Sequence, residues 1–141
     1  MPYPGGGLWP GCRFASREAF RLQRTVLVCD DSAFMRAMLG EILTQAGLEV
    51  VGEARSGLEA IQKFREQRPD LVTMDLLMPD MGGIDAVREI VSLDPAARVL
   101  MCSAMGQQSL VLEALQAGAR DFVVKPFQPS RVLEAVERVL G

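Results

Sequence analysis

Histidine is absent from all 141 residues. That absence excludes His-based general-base catalysis and the common zinc patterns, so any metal site must be built from oxygen ligands. Cysteine is scarce: Cys12, Cys29 and Cys102 make an odd count, and the last two lie inside apolar strand-like runs. Cysteine in such runs behaves as a small buried hydrophobe, so these residues read as structural thiols, not as disulfide partners or ligands. No apolar run approaches the ~20 residues that span a bilayer. The opening residues also lack the apolar core of a secretory signal, which makes the cytosol the expected location and a membrane an unexpected partner.

What is present suits a single soluble unit. The chain is 49% hydrophobic and 23% charged, enough apolar mass for one core at this length. Charge is distributed unevenly. Arg13, Arg17, Arg21 and Arg24 against Glu18 give residues 1–24 a surplus of +3, so residues 25–141 carry −6 of the total of −3. An acidic domain of this kind binds nucleic acid poorly on electrostatic grounds. Residues 1–24 are dense in Gly and Pro up to Gly11 and show no sustained period, so a flexible tail or a misassigned start is expected there. A basic surface helix over Phe14 to Arg24 is disfavoured because its apolar residues do not line one face.

From Thr25 onward, strand and helix patterns alternate. Met35, Met38, Leu39, Ile42, Leu43 and Ala46 have helical spacing, with Ser32 placed to cap the start and Gly47 to end it. Leu48 to Ala54 reads as a strand, and Ser56 to Gln67 as a helix with Leu58, Ile61 and Phe64 inward. A strand ending at Asp75 is followed by the loop Leu77 to Gly83 and a helix carrying Ile84, Val87 and Val91. Ala97 to Cys102 and Asp121 to Val124 read as strands. Helices are expected from about Gln107 to Ala117, closed by Gly118, and from Pro129. Such alternation predicts one doubly wound α/β domain over residues 25–141, because right-handed crossovers place helices on both faces of a parallel sheet.

Three apolar runs stop at charge: Val26 to Cys29 at Asp30-Asp31, Leu71 to Met74 at Asp75, and Phe122 to Val124 at Lys125-Pro126. Residues just past the carboxyl ends of parallel strands share one crevice, so three acids and a lysine are expected together, as a divalent-metal and phosphoryl site. Taken singly, Asp30-Asp31 reads as a turn or helix cap, Asp75 as a loop acid and Lys125 as a solvated cation. Their joint placement at strand ends favours the functional reading. Met74, Met78, Met81 and Met105 cluster near the site in sequence and are read as packing.

The order of Asp30-Asp31, Met74-Asp75 with Met78-Pro79, Cys102-Ser103-Ala104 and Lys125-Pro126-Phe127 resembles the receiver domain of two-component response regulators. Within that family, DDSAFMR, MPDMGGIDA, CSAMGQQ and DFVVKPFQPSR look most like the stand-alone chemotaxis regulators. The resemblance implies a five-stranded parallel sheet of flavodoxin-like type with strand order 2-1-3-4-5. It implies Asp75 as phosphoacceptor, and Mg²⁺ held by Asp30, Asp31, Asp75 and the backbone carbonyl of Leu77. Lys125 and Ser103 would contact phosphoryl oxygens, with backbone N–H groups at Leu76 and Ala104 as further donors. Ser103 and Phe122 would form the switch, and the Lys125-Pro126 bond would be cis.

The same resemblance implies no enzyme activity beyond Mg²⁺-dependent self-phosphorylation from a phosphodonor and autodephosphorylation. Implied partners are a sensor histidine kinase (CheA-like), a phosphatase, and a flagellar-motor switch protein or other target on the face of helix 4, strand 5 and helix 5. Gln108, Val111, Arg120 and Phe127 are candidate contacts on that face. Phe122 departs from the Tyr of many members, so any switch there rests on burial alone. Leu77 and Met105 stand where family members adjust water access, and their bulk favours slow hydrolysis. A flavodoxin-like electron carrier is disfavoured because Asp30-Asp31 would repel a flavin phosphate. A haloacid-dehalogenase-type phosphatase would need an Asp where Leu77 stands. A receiver from a different phosphorelay, including one separated from a DNA-binding effector or a methylesterase, is the nearer alternative.

Overall fold

Short β-branched runs separated by segments of helical period fold into five successive strand–helix units. The computed structural model describes residues 24–141; the readings made for residues 1–23, the tail and Cys12 among them, lie outside it. The units are β1 (Thr25–Cys29), α1 (Ala33–Gln45), β2 (Glu49–Ala54), α2 (Gly57–Gln67), β3 (Leu71–Met74), α3 (Gly83–Leu93), β4 (Val99–Ser103), α4 (Gln108–Ala117), β5 (Asp121–Val124) and α5 (Pro129–Leu140). The strands form one parallel sheet in the order β2-β1-β3-β4-β5. That is the order implied by the resemblance.

Alternation along the central strands feeds two cores, one on each face. Leu27, Cys29, Val72, Met74, Val99 and Met101 pack with Ala60 and Phe64 of α2, Val87 and Ile90 of α3 and Ala114 of α4. Val26, Val28, Leu71, Leu100, Cys102 and Val123 pack with Leu39 and Leu43 of α1 and Val132 and Val136 of α5. Full burial of each such side chain contributes roughly 1.5–3 kcal/mol, against about 1 kcal/mol for a helix cap. The two cores therefore hold the sheet, and the caps mark where helices begin. Ser32 Oγ accepts from Met35 N–H at 3.2 Å and Ser56 Oγ from Glu59 N–H at 3.1 Å. Pro129 opens α5, and Gly118 takes φ +123° at the end of α4.

Several boundaries move, and one facing is corrected. β2 begins at Glu49, and β4 runs from Val99 to Ser103, because Ser103 pairs with Val124 of β5. Leu58, expected inward, is 53% exposed. Gly57, Ala60 and Phe64 form the buried face of α2. Leu58 lies two residues before Ala60, and residues two apart on a helix do not share a face.

One polar atom has no such accommodation. Thr73 Oγ1 on β3 is buried without a hydrogen-bond partner among the described residues. A buried hydroxyl left unpaired costs free energy, and an apolar group of the same shape removes that cost. Thr73→Val is expected to raise stability by about 1 kcal/mol. An unchanged or lower urea midpoint would contradict this.

Candidate metal and phosphoryl site

β1 ends where its apolar run meets Asp30, and every polar group of that residue is engaged. Its N–H donates to Ala54 O at 3.0 Å, and its carbonyl accepts from Arg36 Nη1 at 2.7 Å. Its Oδ1 accepts from Ser32 N–H at 2.9 Å, and its Oδ2 from Lys125 Nζ at 2.6 Å. β3 delivers Asp75 beside it: the Asp75 N–H donates to Cys29 O at 3.0 Å, and its Oδ2 lies 3.3 Å from Lys125 Nζ. Lys125 sits past β5, anchored by its N–H to Ser103 O at 2.9 Å, and the following bond to Pro126 is cis, as expected. Its ammonium also lies 6.0 Å from the centroid of the Phe127 ring.

Carboxylate oxygens of Asp30, Asp31 and Asp75 lie within 4.8 Å of one another. Asp30 and Asp75 are buried, whereas Asp31 is exposed. Burial, then the charge of Asp30, pushes the Asp75 pKa above the ordinary carboxylate value; Lys125 and Ser103 oppose the rise. Burial alone would lower the Lys125 pKa, but its hydrogen bond to Asp30 and the charges of Asp75 and Asp30 outweigh that and raise it. Clustered acids braced by one ammonium make a site short of positive charge. Three convergent carboxylates without nitrogen or sulfur donors fit a hard divalent cation, so the cluster is able to hold one.

The remaining sequence-derived residues fall around this centre. Ser103 is buried at the end of β4, where its Oγ accepts from Met105 N–H at 3.3 Å. Leu77 projects into solvent at 63% exposure, and Met105 is half-buried. Phe122, paired in register with Met101, is half-buried against the core shared by α2, α3 and α4. Cys29 and Cys102 are buried free thiols whose pKa burial raises far from neutrality, which leaves them without the thiolate that a nucleophile needs.

Two contributors escaped the sequence reading. Arg36, one turn into α1, reaches back to the Asp30 carbonyl and forward to Glu53 Oε1 of β2 at 2.8 Å. A lone arginine among the methionines of that helix was the available signal. Gly83 lies where a Cβ would stand 2.0 Å from the Asp75 carbonyl oxygen, so α3 can start this close only with glycine. The Gly82-Gly83 pair was its signal.

This fold, with an acidic cluster at the carboxyl ends of its strands, is that of a receiver module, and comparison places the chain accordingly. Residues 26–137 match the response regulator receiver domain, and the chain belongs to that family. It is closely related to chemotaxis regulators. It is 60% identical over 116 residues to the chemotaxis protein CheY of Thermotoga maritima, covering 82% of this chain and 97% of that protein. The chemotaxis protein CheY of Bacillus subtilis is 57% identical over 116 residues, with the same shares covered. Among solved structures, the CheX-CheY-BeF3-Mg²⁺ complex from Borrelia burgdorferi contains a chain that superposes with a TM-score of 0.82 at 38% identity. The match covers 84% of this chain and 90% of that one. Among the described residues, no helix is long and apolar enough to cross a membrane.

Proposed function

We propose that this protein is a single-domain chemotaxis response regulator whose Asp75 accepts a phosphoryl group from a sensor histidine kinase (CheA-like) in the cytoplasm. The observation that carries the reading is the contact of one ammonium, Lys125, with both Asp30 and Asp75, inside a cluster of three carboxylates. Asp30, Asp31, Asp75 and the Leu77 carbonyl would hold Mg²⁺, which supplies neutralising charge for the incoming phosphoryl oxygens. An Asp75 carboxylate oxygen attacks phosphorus, the P–O bond to Asp75 forms, and the bond to the donor breaks. Lys125 then takes a phosphoryl oxygen, while Ser103 donates a hydrogen bond to another. No enzyme activity beyond this self-phosphorylation and the loss of the group to water is assigned.

Intact-mass spectrometry with Mg²⁺ and acetyl phosphate tests the assignment. The chain should gain one phosphoryl group, and Asp75→Asn should gain none. Asp31→Ala should weaken Mg²⁺ binding more than Asp30→Ala, because Asp30 is already committed to Lys125 and Ser32. Undiminished labelling of Asp75→Asn would sink the reading.

Output is assigned to the face of α4, β5 and α5, with a flagellar-motor switch protein as the target and a phosphatase as the opposing partner. A cleft of ≈ 430 Å³ runs along β5, lined by Phe122, Val124, Arg131 and Arg138 among others, which supports a binding role for this edge. Movement of Ser103 toward the phosphoryl group vacates space into which Phe122 turns. Gln108, Val111, Arg120 and Phe127 are further contacts on the reshaped face. Phe122→Ala should lower target affinity about tenfold in the beryllofluoride state, as loss of a buried aromatic anchor does, with Asp75 labelling nearly intact. Binding that ignores beryllofluoride, or that maps to α2, would refute this output.

A further inference from the structure

Asp31 is exposed, and its carboxylate has no hydrogen-bond partner among the described residues. Asp30 and Asp75, by contrast, are held through their side chains. With no side-chain partner on Asp31, what the fold fixes of this residue is its backbone, and with it the point from which the carboxylate is carried. The peptide plane that carries Asp31 contains the Asp30 carbonyl, and the group gripping that carbonyl is the guanidinium of Arg36, at 2.7 Å. The Arg36 side chain is only 11% exposed, and its Nε is fixed by Glu53 Oε1 at 2.8 Å. One rigid plane thus spans two acceptors, on β2 and on the β1–α1 turn.

We propose that Arg36 is a positioning residue for the acidic site: by fixing the Asp30–Asp31 peptide plane it holds the Asp31 carboxylate where a divalent cation joins it to Asp75. The proposal rests on the Mg²⁺ reading given above. Partners outside the ligand shell matter on this scale, and their loss costs about 10–100-fold in metal affinity. Glu53 is the weaker part of the device, since its side chain is 54% exposed and exposed ion pairs contribute little. The carbonyl contact carries the function.

The sign of the effect separates positioning from simple charge. A guanidinium close to an acid cluster repels an incoming cation, so on electrostatics alone its removal would tighten Mg²⁺ binding. Positioning requires the reverse. A merely structural arginine would lower the melting temperature of its variant and leave the Mg²⁺ affinity of the folded protein unchanged.

The experiment is a calorimetric Mg²⁺ titration of the full chain and of Arg36→Gln, Arg36→Lys and Glu53→Gln, below the melting temperature of each. Arg36→Gln should bind Mg²⁺ about tenfold more weakly than the parent. Arg36→Lys should lose about as much, because an ammonium keeps the charge but not the planar fork, and it carries the test if Arg36→Gln does not fold. Glu53→Gln, which retains an acceptor oxygen, should stay within about twofold. Unchanged or tighter binding by Arg36→Lys, or an equal loss in Glu53→Gln, would overturn the positioning role while acetyl-phosphate labelling of the parent still stands. A parent chain that neither labels nor binds Mg²⁺ would overturn the proposed function, and this inference with it.

Discussion

Lys125→Met is expected to destabilise the metal-free protein by about 3–5 kcal/mol at neutral pH, the range seen when one partner of a buried ion pair is removed. Methionine keeps the apolar stem, so the loss reports the ammonium. The Lys125, Asp30 and Asp75 side chains are 13%, 7% and 9% exposed, which leaves two facing carboxylates without compensation in the variant. The pH dependence has a definite sign. The folded-state pKa of Asp75 lies above the ordinary carboxylate value of 3.8, first through burial and then through Asp30. Its stability contribution is thus fully present below 3.8 and is lost as pH rises through the folded value. Without Lys125 that folded value climbs further, so the variant loses more on the way to neutrality. Urea midpoints in EDTA should therefore diverge at pH ~7 and draw together on acidification. The ammonium behaves in the opposite range: its raised pKa gives the parent stability that is complete below 10.5 and fades as pH rises through the folded value. Mg²⁺ should restore more stability to the variant than to the parent, since repulsion between the acids is what it relieves. Equal midpoints at neutral pH would contradict the account.

Gly83→Ala should be the most damaging single methyl in the molecule, at about 3 kcal/mol or more, the upper end of overpacking costs. Its Cβ would stand 2.0 Å from the Asp75 carbonyl oxygen, 2.9 Å from the Asp75 carbonyl carbon and 3.1 Å from Leu76 Cα. All three are backbone atoms of the acceptor segment, and no side-chain rotation relieves the conflict. The Gly83 N–H also donates to Leu76 O at 2.8 Å, so withdrawing α3 breaks a hydrogen bond as well. Gly82→Ala is the control. Its Cβ would meet only Leu76 O at 3.4 Å, and a cost under about 1 kcal/mol is expected. Urea unfolding of the pair measures the difference, and acetyl-phosphate labelling of any folded Gly83→Ala reports whether Asp75 has been displaced. Similar stabilities for the two variants would refute the close-approach argument.

Much of this was legible in the residues because hydrophobic runs that end in charge announce where a strand leaves a core. Val26 to Cys29 stopping at Asp30, and Leu71 to Met74 stopping at Asp75, located two strands and their acids at once. Alternation of the two periods determined the α/β class, and Ser32, Gly118 and Pro129 marked helix ends through backbone chemistry local to each residue. The strand order came from family resemblance, not from any property of composition. Leu58 was misplaced because the period of a short helix leaves its rotation open, and the packing of Ala60 and Phe64 against the sheet closed it.

Tertiary structure alone decided which atoms meet. Lys125 reaches Asp30 across 95 residues and Asp75 across 50, and such distances depend on how two cores seat the sheet, not on local preference. The same holds for Arg36, whose grip on the Asp30 carbonyl needs α1 to lie against β2, and for Gly83, whose necessity appears only when α3 meets the Asp75 backbone. The sequence by itself determined the residue types at the strand ends, because burial and charge act on each residue where it stands. The geometry that joins them into a site arose from long-range packing, which no single segment encodes.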